Sequence, residues 1–190
     1  MNGYTKTEKL VRAALLAALT CIATIAIKLP TPQGGYVHFG DGFVLTAGII
    51  MGPLYGGLAA GIGSFLGDLI GGYAAFAPFT LIVKAITAII AALMIRFLNK
   101  INSGKNNLYI NLSISGFIAE LFMILGYFIT NVMIITANSG YITRSSLASA
   151  SAAAMSSIPF DILQASIGII FTTALSSLLA RLMNGNGSGK

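Results

Sequence analysis

The stretch that decides the fold runs from Gly34 to Lys84 and reads GGYVHFGDGFVLTAGIIMGPLYGGLAAGIGSFLGDLIGGYAAFAPFTLIVK. It is apolar enough for a lipid bilayer, yet it contains two aspartates, a lysine and the only histidine of the chain. Its glycines recur at four-residue spacing, which on a helix makes a flat strip where a neighbouring backbone can pack closely. Ionisable groups in such segments are costly and usually face a bundle interior or a pocket. The stretch therefore predicts two closely packed membrane helices with a polar ligand site at their outer ends.

The composition is that of an integral membrane protein. Of the 190 residues, 56% are hydrophobic and 8% are charged, whereas a soluble domain carries about 25% charged residues. This length predicts one all-α bundle, a single domain over residues 1–190 with a flexible tail at 184–190. The net charge of +6 comes from basic residues scattered between apolar segments, which indicates membrane topology rather than nucleic-acid binding. Cys21 is the only cysteine, and we expect no metal and no cofactor.

Hydropathy leaves two interpretations of residues 43–67, either one long span or two short ones joined by a turn at Gly52-Pro53. The second interpretation makes six crossings, at about 10–28, 41–53, 55–72, 79–97, 108–137 and 158–182. A weakly hydrophobic segment at 145–157 is then an outer-surface helix or lid, separated from the last span by Pro159.

The distribution of basic residues decides between the two interpretations. With six crossings, eight basic residues share one side: Lys6, Lys9, Arg12, Arg96, Lys100, Lys105, Arg181 and Lys190. Only Lys28 and Arg144 fall on the other side. Five spans would place Arg96, Lys100 and Lys105 outside, which the positive-inside rule disfavours. The sequence therefore predicts a six-transmembrane-helix bundle with both termini in the cytoplasm.

The first apolar segment allows two interpretations. Basic residues followed by the uncharged run 13–27 resemble a signal peptide, with Thr24 and Ala26 as its cleavage site. Small residues at helix-face spacing favour a retained span with a docking face instead. That face would consist of Ala13, Ala14, Ala17 and Ala18. Ordinary packing inside the bundle is the alternative role for the four alanines.

The intramembrane polar residues converge once they are placed on this topology. Most of them lie near the outer ends of the second to sixth helices, and Glu120 lies nearer the midplane. With Tyr36 and His38 in the loop above, they describe a cup that opens outward, and small-ligand sites have this form. The predicted substrate-binding residues are Tyr36, His38, Asp41, Asp68, Lys84, Glu120, Tyr127, Asn131, Asp161 and Gln164. Structural roles are the alternatives for some of them: an ion pair of Asp68 with Lys84, and a helix N-cap for Asp41.

Three segments together resemble the substrate-binding S component of energy-coupling-factor (ECF) vitamin transporters. They are RAALLAALT, the central stretch quoted above, and the pair AELFMILGYF and IPFDILQASIG. The resemblance implies a six-helix bundle in the bacterial plasma membrane that binds a vitamin at its outer face. It also implies two kinds of partner, a transmembrane T component and two cytoplasmic ATPases. The family's AxxxA docking motif matches Ala13/Ala17 and Ala14/Ala18. The chain departs from the family at Asp161, where relatives tend to have Asn, which bears on the ligand.

The resemblance also implies a mechanism. The S component binds its substrate facing outward, tips over in the membrane against the T component and releases the substrate inside, while the partners hydrolyse ATP. This chain has no GxxxxGK[ST] phosphate loop, so it does not supply the ATPase itself.

Two other classes of function compete with a transport subunit. GIGS at 61–64 is similar to a serine nucleophile motif, but the only histidine lies in a loop before the preceding span. An intramembrane enzyme is therefore disfavoured, and we expect no catalytic residues. A purely structural protein explains the glycine strips but not the embedded carboxylates.

For the ligand, the excess of acids favours pyridoxine or hydroxymethylpyrimidine, with riboflavin as the alternative.

Overall fold

The computed structural model describes residues 5–31, 35–102 and 107–185, without the side chains of 177–185. The described chain is a helical bundle with one short antiparallel pair of strands. The elements are α1 (Lys6–Ala26), β1 (Leu29–Pro30), β2 (Tyr36–Val37), α2 (Gly40–Gly71), α3 (Ala77–Ile101), α4 (Leu108–Asn138), α5 (Arg144–Met155) and α6 (Ile158–Gly185). Five of these helices are long and apolar enough to cross a membrane.

One of the five, α2, is folded back on itself at Gly52. This residue has φ 80° and ψ −177° and is followed by Pro53 inside the helix; the left-handed region is readily adopted only by glycine. A Cβ on Gly56 would lie 2.7 Å from the Cα of Gly48. In a straight helix, residues eight apart would be separated by about 12 Å along the axis. Thus α2 consists of two antiparallel halves, α2a (40–51) and α2b (53–71), and the prediction of six crossings is confirmed.

Glycines let α2b lie against both of its neighbours. On one side, a Cβ on Gly63 would come within 2.9 Å of Thr20 Cβ, and one on Gly67 within 2.7 Å of Thr24. On the other side, a Cβ on Gly61 would lie 2.8 Å from the backbone oxygen of Leu81. These backbones approach within contact distance because no side chain separates them. The prediction of closely packed helices is therefore confirmed, and α1 is a packed member of the bundle.

The outer segment after α4 forms the predicted surface helix. Gly140 has φ 77° and ends α4, and α5 then begins with a capping box in which Thr143 and Ser146 bond each other's backbone N–H groups. At the other end of the chain, α6 continues to Gly185, two residues into the predicted tail. The rest of that tail, 186–190, and most of the predicted cytoplasmic turn at 101–107 lie outside the described residues.

The topology can be tested by cysteine labelling of intact cells in a Cys21→Ser background. We expect Gly104→Cys to remain unlabelled by a membrane-impermeant maleimide, because the positive-inside rule places the turn at 101–107 in the cytoplasm. The matched control is Ile142→Cys, in the outer loop between α4 and α5, where Ile142 is 81% exposed; this variant should label readily. Equal labelling of the two positions would contradict the six-crossing topology.

Candidate substrate-binding site

A buried ion pair lies at the base of the site. Lys84 on α3 donates to Asp41 on α2a, and the two side chains are 0% and 1% exposed. Gln164 on α6 donates its amide Nε2–H to the other carboxylate oxygen of Asp41, at 2.7 Å. Burying a charge in this environment is tolerated only when the charge is paired and hydrogen-bonded. The pair therefore fixes α2a, α3 and α6 relative to one another.

The suggested ion pair of Asp68 with Lys84 is wrong, because Lys84 pairs with Asp41. The reason is the direction of α2a. Gly48 lies against the backbone of Ala88, and Gly52 lies against the side chain of Arg96, so α2a and α3 run in the same direction and Asp41 lies at the level of Lys84. Asp41 is also not a helix cap, because the N-cap position of α2 is Phe39, which makes no side-chain capping bond.

His38 is joined to the ion pair through Gln164. The backbone N–H of His38 donates to Gln164 Oε1 at 3.0 Å, and its Nδ1 accepts from the backbone N–H of Gly40 at 3.0 Å. Burial, together with the nearby charge of Lys84, lowers the pKa of His38 to about 3. The imidazole is thus neutral at physiological pH, and its proton resides on Nε2.

A small cavity of about 30 Å³ lies above the ion pair. Seven of the predicted site residues line it: Tyr36, His38, Asp68, Tyr127, Asn131, Asp161 and Gln164. The volume corresponds to one or two water molecules. A vitamin-sized ligand can therefore occupy this position only if the lining side chains move apart.

The cavity walls are made of aromatic rings and hydrogen-bonded polar groups. The Tyr36 hydroxyl donates to Asp68 at 2.6 Å, and the Tyr36 ring lies 4.1 Å from the ring of Tyr73. Burial and the neighbouring carboxylate of Asp68 raise the pKa of Tyr36, so its phenol remains a neutral donor. On the opposite wall, Asn131 donates to Ser157 Oγ at 3.0 Å.

Three predicted contact residues do not line the cavity. Asp41 and Lys84 lie beneath it, although the Lys84 Nζ is 4.9 Å from the ring centroid of Tyr127, which does line it. Glu120 is 1% exposed, and its two carboxyl oxygens have no hydrogen-bond partner among the described residues. These three residues form a layer below the ligand position rather than part of its wall.

The cavity has five further lining residues that the sequence did not single out: Thr31, Gly35, Phe76, Thr80 and Ser157. The position of Thr80 could have been predicted from the sequence, because Thr80 precedes Lys84 by one helical turn and so lies on the same face of α3. Its hydroxyl accepts from the Tyr127 hydroxyl at 3.3 Å. Thr31, Gly35 and Ser157 lie at the ends of helices or strands, where hydropathy and periodicity do not indicate which way a residue faces.

The described residues offer no arrangement for metal or serine chemistry. No group of three or more His, Cys, Asp or Glu side chains within residues 5–31, 35–102 and 107–185 is placed to hold a metal ion. Ser64, the serine of the GIGS motif, is fully buried, and its hydroxyl has no hydrogen-bond partner among those residues. A nucleophilic serine needs a base within hydrogen-bond reach.

Comparison with known proteins gives the family of this chain. The sequence profile of the ECF-type riboflavin transporter S component family matches residues 4–181. A solved structure described as the S component of a bacterial ECF transporter aligns with a TM-score of 0.65 at 20% identity, covering 94% of this chain and 99% of that chain. At that identity the structural likeness shows the fold alone.

A curated relative is similar over a shorter region. An uncharacterized protein from the gap 3' region of Pyrococcus woesei is 33% identical over 107 residues, which are 56% of this chain and 66% of the relative. The match thus spans just under two thirds of that relative. The family profile, in contrast, covers nearly the whole chain. This protein therefore belongs to the ECF-type riboflavin transporter S component family, and it is a transport subunit of the plasma membrane rather than an enzyme.

Proposed function

We propose that this S component captures a small hydroxylated nitrogen heterocycle, of the pyridoxine or hydroxymethylpyrimidine class, at its outer cavity. It then delivers this vitamin to the cytoplasm together with a T component and two ATPases. The observation that carries the proposal is the lining of the cavity. It combines aromatic rings with two carboxyl groups, and no cationic side chain is among its described residues.

Charge favours a ligand that donates hydrogen bonds or carries a protonatable ring nitrogen. The two lining carboxyls belong to Asp68 and Asp161, and the lining imidazole of His38 is neutral. Two cations lie near the cavity without lining it: Lys84 below is already paired with Asp41, and Lys28, 5.3 Å from the ring centroid of Tyr36, donates to the backbone oxygen of Gly71. A carboxylate facing a ring nitrogen stabilises its protonated form through a charge-assisted hydrogen bond, whereas an anionic ligand would meet like charge.

Size also favours a single-ring ligand. The cavity of about 30 Å³ has to widen for any vitamin, and a small heterocycle requires less displacement than a three-ring flavin. Tyr36, Phe76 and Tyr127 line the cavity and can stack on a planar ring. Opening of the bond from Tyr36 to Asp68 would free both a hydroxyl donor and a carboxylate for the ligand.

Riboflavin is the second candidate, and the name of the matching family supports it. Its ribityl hydroxyls and flavin edge offer donors and acceptors that the polar groups of the cavity can also bind. Binding of riboflavin would require a larger rearrangement of the loop that contains Tyr36 and His38. The two candidates share the same cavity, so a single titration series separates them.

The ligand prediction is tested by titrating the purified protein with pyridoxine, hydroxymethylpyrimidine, riboflavin and pantothenate. We expect tight binding of a single-ring heterocycle and none of pantothenate. Asp161→Asn should weaken that binding by about tenfold or more, because a charge-assisted hydrogen bond is lost. The loss should be larger at a pH where the ring nitrogen is protonated.

The matched control is Glu8→Gln, which removes a carboxylate from the exposed start of α1 and should leave the affinity unchanged. Tight binding of pantothenate without any of the heterocycles would overturn the assignment. Tight binding of riboflavin alone would replace the first candidate by the second.

Docking on the T component is proposed for the alanine face of α1. Ala14 and Ala18 are exposed, whereas Ala13 and Ala17 are half-buried, and Gly63 packs on the backbone of Ala17. The face lines an apolar groove between α1 and α2b, which also includes Leu10, Ile22, Tyr55, Leu58 and Ile62. A face of small residues beside an apolar groove suits close contact with a partner helix in the membrane.

We expect the double variant Ala14→Leu/Ala18→Leu to abolish vitamin uptake by cells while the isolated protein still binds its ligand, because the leucines hold the partner helix away. The control is Ala148→Leu/Ala152→Leu, which has the same spacing on exposed positions of α5 and should retain uptake. If the α1 variant loses its fold or its ligand binding, the four alanines serve packing inside the bundle instead.

A further inference from the structure

Glu120 lies in the middle of α4 and has no assigned role in the proposed cavity. Its side chain is 1% exposed, and neither carboxyl oxygen has a hydrogen-bond partner among the described residues. The flanking residues on the same side of α4, Ala119 and Met123, are both 0% exposed. An acid in such a position is either functional or strongly destabilising.

The charges around Glu120 determine its ionisation state. Ala119, the residue before Glu120, packs with Leu45 of α2a and Ala91 of α3, so this part of α4 lies against the two helices that carry Asp41 and Lys84. The charges of Asp41 and Lys84 act on Glu120, and these two groups already pair with each other. The remaining titratable groups of this region face the cavity above: Tyr36 and His38 before α2a, Asp68 on α2b, Tyr127 on α4 and Asp161 on α6.

One lysine and two carboxylates would leave an uncompensated negative charge inside the membrane. Such a charge is far more costly than a protonated, neutral acid. The buried cluster is therefore electrically balanced only when one of its two acids carries a proton. Asp41 receives hydrogen bonds from Lys84 and Gln164, so the proton belongs on Glu120, which receives none from the described residues.

We propose that Glu120 is a proton-binding site and the second partner of Lys84. In the state described here, Lys84 is bound to Asp41 and Glu120 is a neutral acid. When Lys84 turns to Glu120, the proton of Glu120 passes to Asp41, so the two acids exchange roles and the net charge of the cluster stays the same. This inference does not depend on the identity of the vitamin.

The exchange would connect the cavity with the bundle interior. Gln164 contacts Asp41 and lines the cavity, and Tyr127 contacts Lys84 and also lines it. A ligand that moves either residue changes the surroundings of one member of the ion pair. Glu120 then provides a second carboxylate, so that Lys84 is never left unpaired in the bilayer.

Thermal unfolding of the full chain in detergent, without ligand, tests the second-partner role. Glu120→Gln resembles the protonated acid and should change the apparent Tm by less than about 2 °C. Asp41→Asn should be tolerated, since Lys84 can turn to Glu120. In that background, Glu120→Gln should lower the Tm by about 10 °C or prevent purification, because the buried lysine then has no carboxylate partner.

The control pair is Asp68→Asn with Glu120→Gln. The changes in Tm caused by these two substitutions should add in the double variant, because Asp68 accepts a hydrogen bond from Tyr36 and is not paired with Lys84. The proposal is overturned if Glu120→Gln lowers the Tm as much in the wild type as in the Asp41→Asn background. It is also overturned if Asp41→Asn alone fails to fold.

Infrared spectroscopy tests the proton separately. The difference spectrum of the wild type minus Glu120→Gln should contain the carbonyl stretch of a protonated carboxylic acid, and this Glu120 band should be lost in Asp41→Asn. A wild type that lacks the band has an ionised Glu120, which would contradict the proposal whatever the unfolding results.

Discussion

Lys84 places an ammonium group at 0% exposure inside a membrane bundle, and this constraint organises the rest of the structure. The charge is tolerable only with a carboxylate in contact, which Asp41 on α2a provides. Gln164 extends the contact to α6 and, through the backbone of His38, to the loop above. The ion pair thus lies below the outer cavity and joins α2a, α3, α6 and the loop that contains His38.

The short glycine-rich halves of α2 make this ion pair possible. The reversal at Gly52 sends α2a alongside α3 in the same direction, and Gly48 permits contact of the two backbones. Larger residues at these positions would move Asp41 away from Lys84. The packing glycines and the ion pair are therefore parts of one arrangement, in which backbone proximity brings buried charges together.

The number and direction of the membrane crossings could be predicted because they depend on features that can be read along the chain, without knowledge of contacts between helices. Apolar length and the side of each basic residue are properties of the chain itself, and Gly52-Pro53 marks the reversal directly. The choice of Asp41 rather than Asp68 as the partner of Lys84 was not predicted, because it depends on the register between helices. For the same reason, the sequence placed Glu120 in the ligand site, although the structure places it in the layer below.

Native mass spectrometry of the protein purified in mild detergent tests directly whether the outer cavity holds a vitamin. We expect one bound heterocycle per chain, released when Asp68→Asn and Asp161→Asn remove both lining carboxylates. A wild-type protein that is consistently empty, even after growth with each candidate vitamin, would show that the cavity is not a vitamin site. So would a ligand that stays bound in the double variant.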